Sequence, residues 1–427
     1  MTGTSARDEA VCADGARRDG VDLRVLAQHL GTPLHVYSAS AIRQRIGELQ
    51  AALQGLDTLI CYAVKANANL AILALMADAG LGADIVSGGE LQRSLRAGIP
   101  AERIVFSGVA KSADEIAGGL AAGIARFNVE SRDELNLLQS LAAARNAFAR
   151  ASVRVNPDVD ALTHAKISTG KSENKFGVGI EEAREWFAHS GRLTHVRLDG
   201  LHVHIGSQIL SLDPIDLALQ RVAVFWRELI AAGHEITTID VGGGLGVSYR
   251  DGSDEPVAVK DYAEVIRKSL RGFGGRILLE PGRWLVAEAG ILLTRVLRIK
   301  QGRQRRFLVV DAGMTELLRP SLYDAWHEIV PLSRRPPPPQ IYDVVGPVCE
   351  SSDTFAVDRQ LPACEPGDLL MIRTTGAYGA AMASNYNSRP FAAEVLVDRD
   401  RYAVVRRRQT FEEMIAGEQA APDWEST

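Results

Sequence analysis

An alternation of short apolar strands with amphipathic helices dominates residues 39–285 and constrains the fold more than any other feature. The predicted strands are Thr58–Val64, Ala83–Ser87, Ile104–Ser107, Arg126–Val129, Ser152–Asn156, Gly200–Ile205, Thr238–Val241 and Ile277–Glu280. Apolar residues that recur every three or four positions predict the helices Ala39–Gln54, Leu70–Ala79, Gly89–Ala97, Ser112–Ala122, Ser131–Ala144, Ile180–Ser190, Pro214–Ala232 and Val259–Leu270. This alternation is typical of a (β/α)8 barrel of the TIM type. An open doubly wound sheet remains the alternative, because the sequence neither reveals nor excludes the edge strands that it would need.

The pattern changes after about residue 285. The apolar runs become short and β-rich and are separated by turns: Leu292–Ile299, Arg306–Val310, Ile341–Val345, Asp368–Arg373 and Ala393–Val397. The segment Asp398-Arg399-Asp400-Arg401 is typical of a hairpin turn. These features predict a C-terminal β-sandwich or small β-barrel domain.

Domain limits follow from the two patterns. We predict a barrel over residues 39–285 and a β-rich domain that combines residues 21–38 with residues 286–416. The polar ends, residues 1–20 and 417–427, are predicted to be flexible.

Composition argues against several classes of function. The chain has 427 residues and a net charge of −5, which gives no reason to expect nucleic acid or an anionic membrane as partner. It has no apolar run of transmembrane length, and its start does not resemble a signal peptide. The cysteines, Cys12, Cys61, Cys349 and Cys364, show neither C-x-x-C nor metal-finger spacing. We therefore expect reduced thiols and a cytoplasmic location.

Lys65 is the first candidate for chemistry, because it lies where the strand Thr58–Val64 turns toward a helix. A lysine that is desolvated at such a point is held neutral and condenses with an aldehyde. The alternative is a solvated lysine that only caps the strand.

Other candidate residues lie at the same ends of further predicted barrel strands. They are Asp84 with Ser87-Gly88-Gly89 after the second strand, His204 to Ser207 after the sixth, Gly242-Gly243-Gly244 after the seventh and Glu280-Pro281-Gly282-Arg283 after the eighth. The carboxyl ends of the strands form one face of a (β/α)8 barrel, and that face carries the chemistry. Convergence of five segments on this face is harder to obtain by chance than any single motif.

These segments contain the parts of a pyridoxal-phosphate (PLP) site. Glycines at 242–244 let backbone N–H groups approach an anion closely, although a triple glycine is also typical of a tight turn. Ser207 adds a hydroxyl donor. An ionised Glu280 keeps a pyridine nitrogen protonated, so that the ring accepts electrons; the alternative is a salt bridge with Arg283.

His202 and His204 are two residues apart on a strand, and both are predicted to face the barrel interior. His204 suits an imidazole that stacks on a cofactor ring. A metal pair has no third ligand of suitable spacing, so we predict no metal site.

The β-rich region carries three further candidate segments, within Asp311–Tyr323, Gly346–Asp353 and Gly376–Gly379. Arg319 is able to clamp a carboxylate through two hydrogen bonds. Cys349 is a candidate proton donor beside Glu350, which is a candidate partner for an ammonium group. The alternatives are a surface arginine, a buried structural cysteine and a solvated glutamate.

Taken together, these motifs resemble the fold-type III PLP-dependent decarboxylases, which have an alanine racemase-like barrel, over roughly residues 30–415. The matching motifs are Tyr62-Ala63-Val64-Lys65-Ala66-Asn67, Ser87-Gly88-Gly89-Glu90-Leu91, His202-Val203-His204-Ile205-Gly206-Ser207-Gln208, Gly242-Gly243-Gly244-Leu245-Gly246, Glu280-Pro281-Gly282-Arg283, Arg319–His327, Cys349-Glu350-Ser351 and Ser384–Pro390.

The resemblance implies a role for each matching residue. Lys65 would link covalently to PLP, His204 would stack on its ring, and Glu280 would pair with the ring nitrogen. The implied PLP-binding residues are Lys65, Asp84, His204, Ser207, Gly243, Gly244, Glu280 and Tyr378. The implied substrate-binding residues are Arg283, Arg319 and Tyr323 for the distal carboxylate, Glu350 for the distal ammonium, and Tyr378. Cys349 would assist protonation of the carbanion.

The implied activity is decarboxylation of meso-2,6-diaminopimelate to L-lysine and CO2, the last step of lysine biosynthesis. A homodimer is also implied, in which Cys349 and Glu350 reach into the partner's site. The substrates of an ornithine- or arginine-type decarboxylase have no distal carboxylate, so Arg319 and Tyr323 would have no carboxylate to bind. A racemase would favour an arginine over Glu280, and a PLP-binding protein without turnover would not need Cys349.

Two positions depart from the family pattern. Thr315 stands where an asparagine is usual, and Trp284 follows Arg283 where a serine is common. Trp284 is able to alter the packing behind the site, and the sequence leaves open its effect on substrate preference.

Overall fold

The computed structural model describes residues 16–160, 175–333, 338–422 and 424–425. The described residues divide into two compact units, of which one contains residues 39–160, 175–289 and 376–381 and the other residues 16–38, 290–333, 338–375, 382–422 and 424–425. Residues 1–15, 423, 426 and 427, which belong to the ends that we predict to be flexible, lie outside the described residues.

A closed barrel of eight parallel strands forms the centre of the first unit. The strands are Thr58–Ala63, Gly82–Ile85, Ile104–Phe106, Arg126–Val129, Ala149–Asn156, Val196–His202, Thr238–Asp240 and Arg276–Leu279. Each strand pairs in parallel with the next, and the eighth pairs with the first, which closes the sheet. The barrel prediction is therefore confirmed, and the open sheet is wrong.

The predicted helices alternate with these strands. They are Ala39–Ala52, Leu70–Asp78, Gly88–Arg96, Ala113–Ala122, Arg132–Ala144, Ile180–Ala188, Asp213–Ala231 and Val259–Ser269. The helix Asp213–Ala231 shows why the periodicity was informative: it buries Leu219, Val222, Trp226 and Leu229 on one face. In the part of the chain that the structure describes, no helix is both long and apolar enough to cross a membrane.

The second unit is mostly sheet, as predicted. Its strands are Arg17–Arg18, Val21–Asp22, Leu34–Ser38, Gly290–Gln301, Arg306–Val310, Ile329–Pro331, Gln340–Val345, Thr354–Leu361, Leu369–Ile372, Ala393–Asp398 and Arg401–Arg406. Its helices are Leu23–Leu30, Arg319–Tyr323 and Phe411–Ile415. Ala393–Asp398 and Arg401–Arg406 pair antiparallel, which confirms the hairpin turn.

The strand Gly290–Gln301 organises this second unit. Its first half pairs with Leu34–Ser38 and Leu369–Ile372, and its second half pairs with Arg306–Val310. Successive residues of a strand point to opposite faces. Accordingly, Ile291 and Leu292 belong to two different apolar clusters, one on each side of the strand.

Candidate active site

Lys65 lies in a short 3₁₀ turn, Val64–Ala66, directly after the first barrel strand. Its Nζ donates a hydrogen bond of 3.0 Å to Oδ2 of Asp84, which is fully buried at the end of the second strand. Burial opposes a charge on Lys65, but Asp84, Tyr378 and Glu280 outweigh burial and raise its pKa above the usual value. The structure therefore places Lys65 beside an acidic partner, Asp84, and not in the wholly apolar surroundings that would hold the amine neutral.

The turn that carries Lys65 is tied to the segment that carries Tyr378. The side-chain amide of Asn67 donates to the carbonyl of Gly376 over 3.0 Å. The backbone N–H of Tyr378 donates to the carbonyl of Ala66 over 2.8 Å. Lys65 and Tyr378, which are far apart in the chain, therefore belong to one site.

Glu280 is a buried acceptor in the barrel interior. Oε1 accepts from Ser107 Oγ at 3.2 Å and from Asn128 Nδ2 at 3.1 Å, and Oε2 lies 3.2 Å from Nε2 of His202. Burial opposes a charge on Glu280, but His202 and Lys65 outweigh burial and lower its pKa well below the usual range. These contacts favour the ionised form of Glu280, and Nε2 of His202 lies beside one of its oxygens.

The glycine-rich turn after the seventh strand leaves no room for side chains. A Cβ on Gly243 would lie 2.2 Å from the carbonyl oxygen of Glu280, and a Cβ on Gly244 would lie 2.5 Å from that of Gly206. Gly244 also has a φ of +111°, which side chains disfavour. Only glycine fits at these two positions, because neighbouring carbonyl oxygens approach the backbone closely.

His204 lies beside this turn as a neutral ring. Burial and Arg154 lower the pKa of His204 well below its usual value. Nδ1 of His204 accepts a hydrogen bond of 3.1 Å from the backbone N–H of Gly243. A neutral, fixed imidazole is suited to stacking on an aromatic cofactor.

Arg283 joins two residues that the family resemblance assigns to the phosphate. Its Nη2 donates to Ser207 Oγ at 3.0 Å, and its guanidinium carbon lies 4.7 Å from the centre of the Tyr378 ring. Nη1 donates to the hydroxyl of Tyr249 at 2.6 Å. Sequence reasoning missed Tyr249, because it lies in a loop without a recognisable motif.

The donor set fits PLP. The Lys65 amine suits the aldehyde of the cofactor, and the neutral imidazole of His204 suits its ring. The buried carboxylate of Glu280 suits the ring nitrogen. The glycine turn, with Ser207 beside Arg283, suits the phosphate.

His202, Asp240 and Glu280 also have potential metal-ligand atoms within 4.8 Å of one another. We assign no metal there, because the N–H groups of Asn128 and His202 point at the Glu280 oxygens, where a cation would need lone pairs.

In the second unit, Arg319 is buried and held by His327. Nη1 of Arg319 lies 2.7 Å from Nε2 of His327, and Nδ1 of His327 lies 2.8 Å from the carbonyl oxygen of Arg373. The imidazole therefore donates to the carbonyl and accepts from the guanidinium. Arg319 is not a surface arginine, and it shares its short helix with Tyr323.

Cys349 and Glu350 are exposed on a loop of the same unit. The carboxylate of Asp353 accepts hydrogen bonds from the backbone N–H groups of Met314 at 2.6 Å and Val348 at 2.7 Å. A Cβ on Gly346 would lie 2.3 Å from that carboxylate, so only glycine fits there. The interpretation of Cys349 as a buried structural cysteine is wrong.

The two atypical residues are both buried. The guanidinium carbon of Arg45, on the helix Ala39–Ala52, lies 4.7 Å from the centre of the Trp284 ring, so this indole packs against the helical layer of the barrel. The Thr315 hydroxyl donates to Glu316 at 2.9 Å.

Comparison with known proteins identifies the family. Residues 39–287 match the family model for the pyridoxal binding domain of pyridoxal-dependent decarboxylases. A diaminopimelate decarboxylase of Zymomonas mobilis is 45% identical over 406 residues, which cover 94% of this chain and 96% of that protein. One of Helicobacter pylori is 48% identical over 392 residues, which cover 91% of this chain and 96% of that protein.

Solved structures agree with the sequence comparisons. The crystal structure of the H. pylori diaminopimelate decarboxylase complexed with L-lysine has a TM-score of 0.89 at 47% identity and covers 92% of this chain and 98% of that chain. The M. jannaschii diaminopimelate decarboxylase in co-complex with L-lysine has a TM-score of 0.90 at 37% identity and covers 95% of this chain and 96% of that chain. The chain therefore belongs to the diaminopimelate decarboxylase family of PLP-dependent decarboxylases.

Proposed function

We propose that the protein uses PLP to decarboxylate meso-2,6-diaminopimelate at its D-configured centre, with L-lysine and CO2 as products. One observation carries this proposal: Lys65 with Asp84, and Glu280 with His202, meet inside one barrel. The names of the relatives, and the L-lysine bound in two of the solved structures, support the choice of substrate.

The residues of the barrel bind and orient the cofactor in this proposal. When bound, PLP supplies a ring that accepts the electron pair released as CO2 leaves. Lys65 would provide the amine to which the cofactor attaches. Glu280 would pair with the ring nitrogen, and His204 would lie against the ring. The phosphate-binding residues are Ser207, Gly243, Gly244 and Tyr378.

Residues of the second unit provide substrate specificity. Arg319 and Tyr323 bind the distal carboxylate, and Glu350 binds the distal ammonium group. Arg283 is a further candidate for binding the distal carboxylate. Cys349 assists the return of a proton to the α-carbon. Because Cys349 and Glu350 are exposed in the single chain, we propose that they complete the site of a partner subunit in a homodimer.

We place this activity in the cytoplasm. Among the described residues, Cys61, Cys349 and Cys364 are free thiols. Free thiols are typical of proteins in a reducing compartment.

A substrate comparison tests the proposed function. Purified protein with PLP is offered meso-diaminopimelate, L-lysine, L-ornithine and L-arginine separately, and CO2 release is measured. We expect release from meso-diaminopimelate, because only this substrate has the distal carboxylate that Arg319 and Tyr323 would bind. LL-diaminopimelate serves as the stereochemical control, because it lacks a D-configured centre. Faster release from ornithine, arginine or lysine would refute the substrate assignment.

Replacing His327 by phenylalanine is expected to raise KM for meso-diaminopimelate by about tenfold, with a smaller effect on kcat. The reason is that the Arg319 guanidinium loses the acceptor that orients it. Steady-state kinetics measure both constants. His327→Gln, which keeps an acceptor, should recover most of the affinity. His35→Phe is the matched control, because His35 is an equally buried histidine of the same unit and stacks on Tyr37. An unchanged KM in His327→Phe would contradict the orienting role.

A further inference from the structure

We propose that Ser107, Asn128 and His202 keep a proton on the ring nitrogen of bound PLP by making Glu280 a weak base. This inference rests on the proposed pairing of Glu280 with that nitrogen. It assigns a function to three residues that the sequence motifs did not single out for this role. They are positioning residues, since they act through Glu280.

The geometry surrounds the Glu280 carboxylate with donors from three different strands. Ser107 follows the third strand, Asn128 lies in the fourth and His202 ends the sixth. The three donors are 4%, 0% and 1% exposed, respectively, and Glu280 is 4% exposed. Protein groups, and not bulk water, therefore provide the hydrogen bonds of this carboxylate.

Ser107 Oγ donates to Oε1 of Glu280 over 3.2 Å and also has a hydrogen bond with Asp84. Asn128 Nδ2 lies 3.1 Å from the same Oε1 and 3.0 Å from Ser107 Oγ. A carboxylate has no proton to donate, so Nε2 of His202 must donate to Oε2.

The hydrogen bonds to Glu280 influence whether one proton lies on the ring nitrogen or on the Glu280 carboxyl group. A carboxylate beside a protonated ring competes with a carboxylic acid beside a neutral ring, and a buried environment favours the neutral pair. Hydrogen bonds to an ionised acceptor stabilise the carboxylate preferentially. Each such donor shifts the proton equilibrium toward the ring by about tenfold. Ser107, Asn128 and His202 together therefore favour the ion pair, and the protonated ring is the stronger electron acceptor.

The neighbouring charges are consistent with this arrangement. Lys65 and His202 favour an ionised Glu280. Asp84 and Asp240 oppose it when they are ionised, and burial together with Glu280 raises the pKa of Asp240 well above its usual value. The other charged or titratable groups facing this cluster are the neutral His204, Arg154 beside His202, and Cys61 and Tyr262, whose pKa values are raised by burial and by the carboxylates.

The test is the protonation state of the cofactor nitrogen, measured apart from activity. The protein and its variants are loaded with PLP that carries ¹⁵N in the ring, and the ¹⁵N chemical shift is followed between about pH 6 and about pH 9. We expect the nitrogen of the unmodified protein to be protonated at neutral pH and to lose its proton near the upper end of this range. In Ser107→Ala and His202→Phe the nitrogen should lose its proton at a pH lower by about one unit.

Two further variants separate the proposed role from a structural one. His202→Gln carries an amide N–H in place of the imidazole N–H and should restore much of the original shift. Ser152→Ala is the matched control for Ser107→Ala, because Ser152 is fully buried in the same barrel and its hydroxyl is bonded by Arg126 at 2.8 Å. Its ¹⁵N shift should equal that of the unmodified protein.

Glu280→Gln distinguishes a failure of this inference from a failure of the proposed function. If Glu280→Gln loses the ring proton while Ser107→Ala and His202→Phe keep it to the same pH as the unmodified protein, the three donors do not control the proton and the inference is overturned. If Glu280→Gln also keeps the ring proton, the pairing of Glu280 with the ring is itself wrong. Should His202→Phe fail to fold, Ser107→Ala with its Ser152→Ala control decides the outcome.

Discussion

Replacing Lys65 by alanine is expected to abolish both the visible absorbance of the covalently attached cofactor and all turnover. In the proposed function Lys65 supplies the amine for that attachment, and its Nζ donates a hydrogen bond to Asp84. Absorbance spectroscopy of the PLP-loaded protein measures the attachment. Borohydride reduction followed by mass spectrometry of the peptides then locates it.

The control for this experiment is an exposed lysine. Lys268 is 69% exposed on its side chain and lies on the helix Val259–Ser269. Lys268→Ala should keep the full absorbance and the full rate. A Lys65→Ala protein with an undiminished absorbance band would show that another amine attaches the cofactor.

Replacing Glu350 by alanine is expected to lower kcat/KM for meso-diaminopimelate by about 30-fold or more. The substrate's distal ammonium would be left unpaired, and an unpaired buried charge costs about 2–5 kcal/mol. Glu264→Ala, which removes a carboxylate that is 70% exposed, is the control and should leave kcat/KM unchanged. A value within twofold of the unmodified protein in Glu350→Ala would rule out the substrate-binding role.

The same two variants test the proposed composite sites. Lys65→Ala and Glu350→Ala proteins are each expected to be nearly inactive, but a mixture allowed to exchange subunits would form hybrid dimers. If Glu350 serves the partner's site, each hybrid contains one site with both changes and one intact site. Equal mixing should then restore about one quarter of the original activity. No recovery, with exchange demonstrated, would place Glu350 in the site of its own chain.

Much of the fold was predictable, because its signals are local. Helices such as Asp213–Ala231 have apolar residues at three- and four-residue intervals, and those residues face the barrel. The strand Thr354–Leu361 was missed. Its exposed Asp358 and the neighbouring Arg359 interrupt the apolar run, and only its pairing with Gln340–Val345 shows that it is a strand.

The site was predictable in part. Lys65, Glu280 and the glycines are recognisable, because each occurs in a short motif at a strand end. Asn128 and Ser107 were missed, although a lone asparagine within the apolar strand Arg126–Val129 is a usable signal for a buried polar contact. His327 and Asp353 act on Arg319 and on the Cys349 loop through contacts that carry no pattern in the sequence.

The sequence by itself determined the order of strands and helices, the parallel barrel, the ends of the strands at which chemistry occurs, and the family. These properties depend on periodicity and short motifs, which neighbouring residues encode. Only the tertiary structure decided which partners the titratable groups have: Lys65 donates to Asp84, and Glu280 lies beside His202, Ser107 and Asn128. The physical reason is that the charge of a buried group depends on burial and on partners within a few ångströms, and in a barrel those partners come from distant parts of the chain.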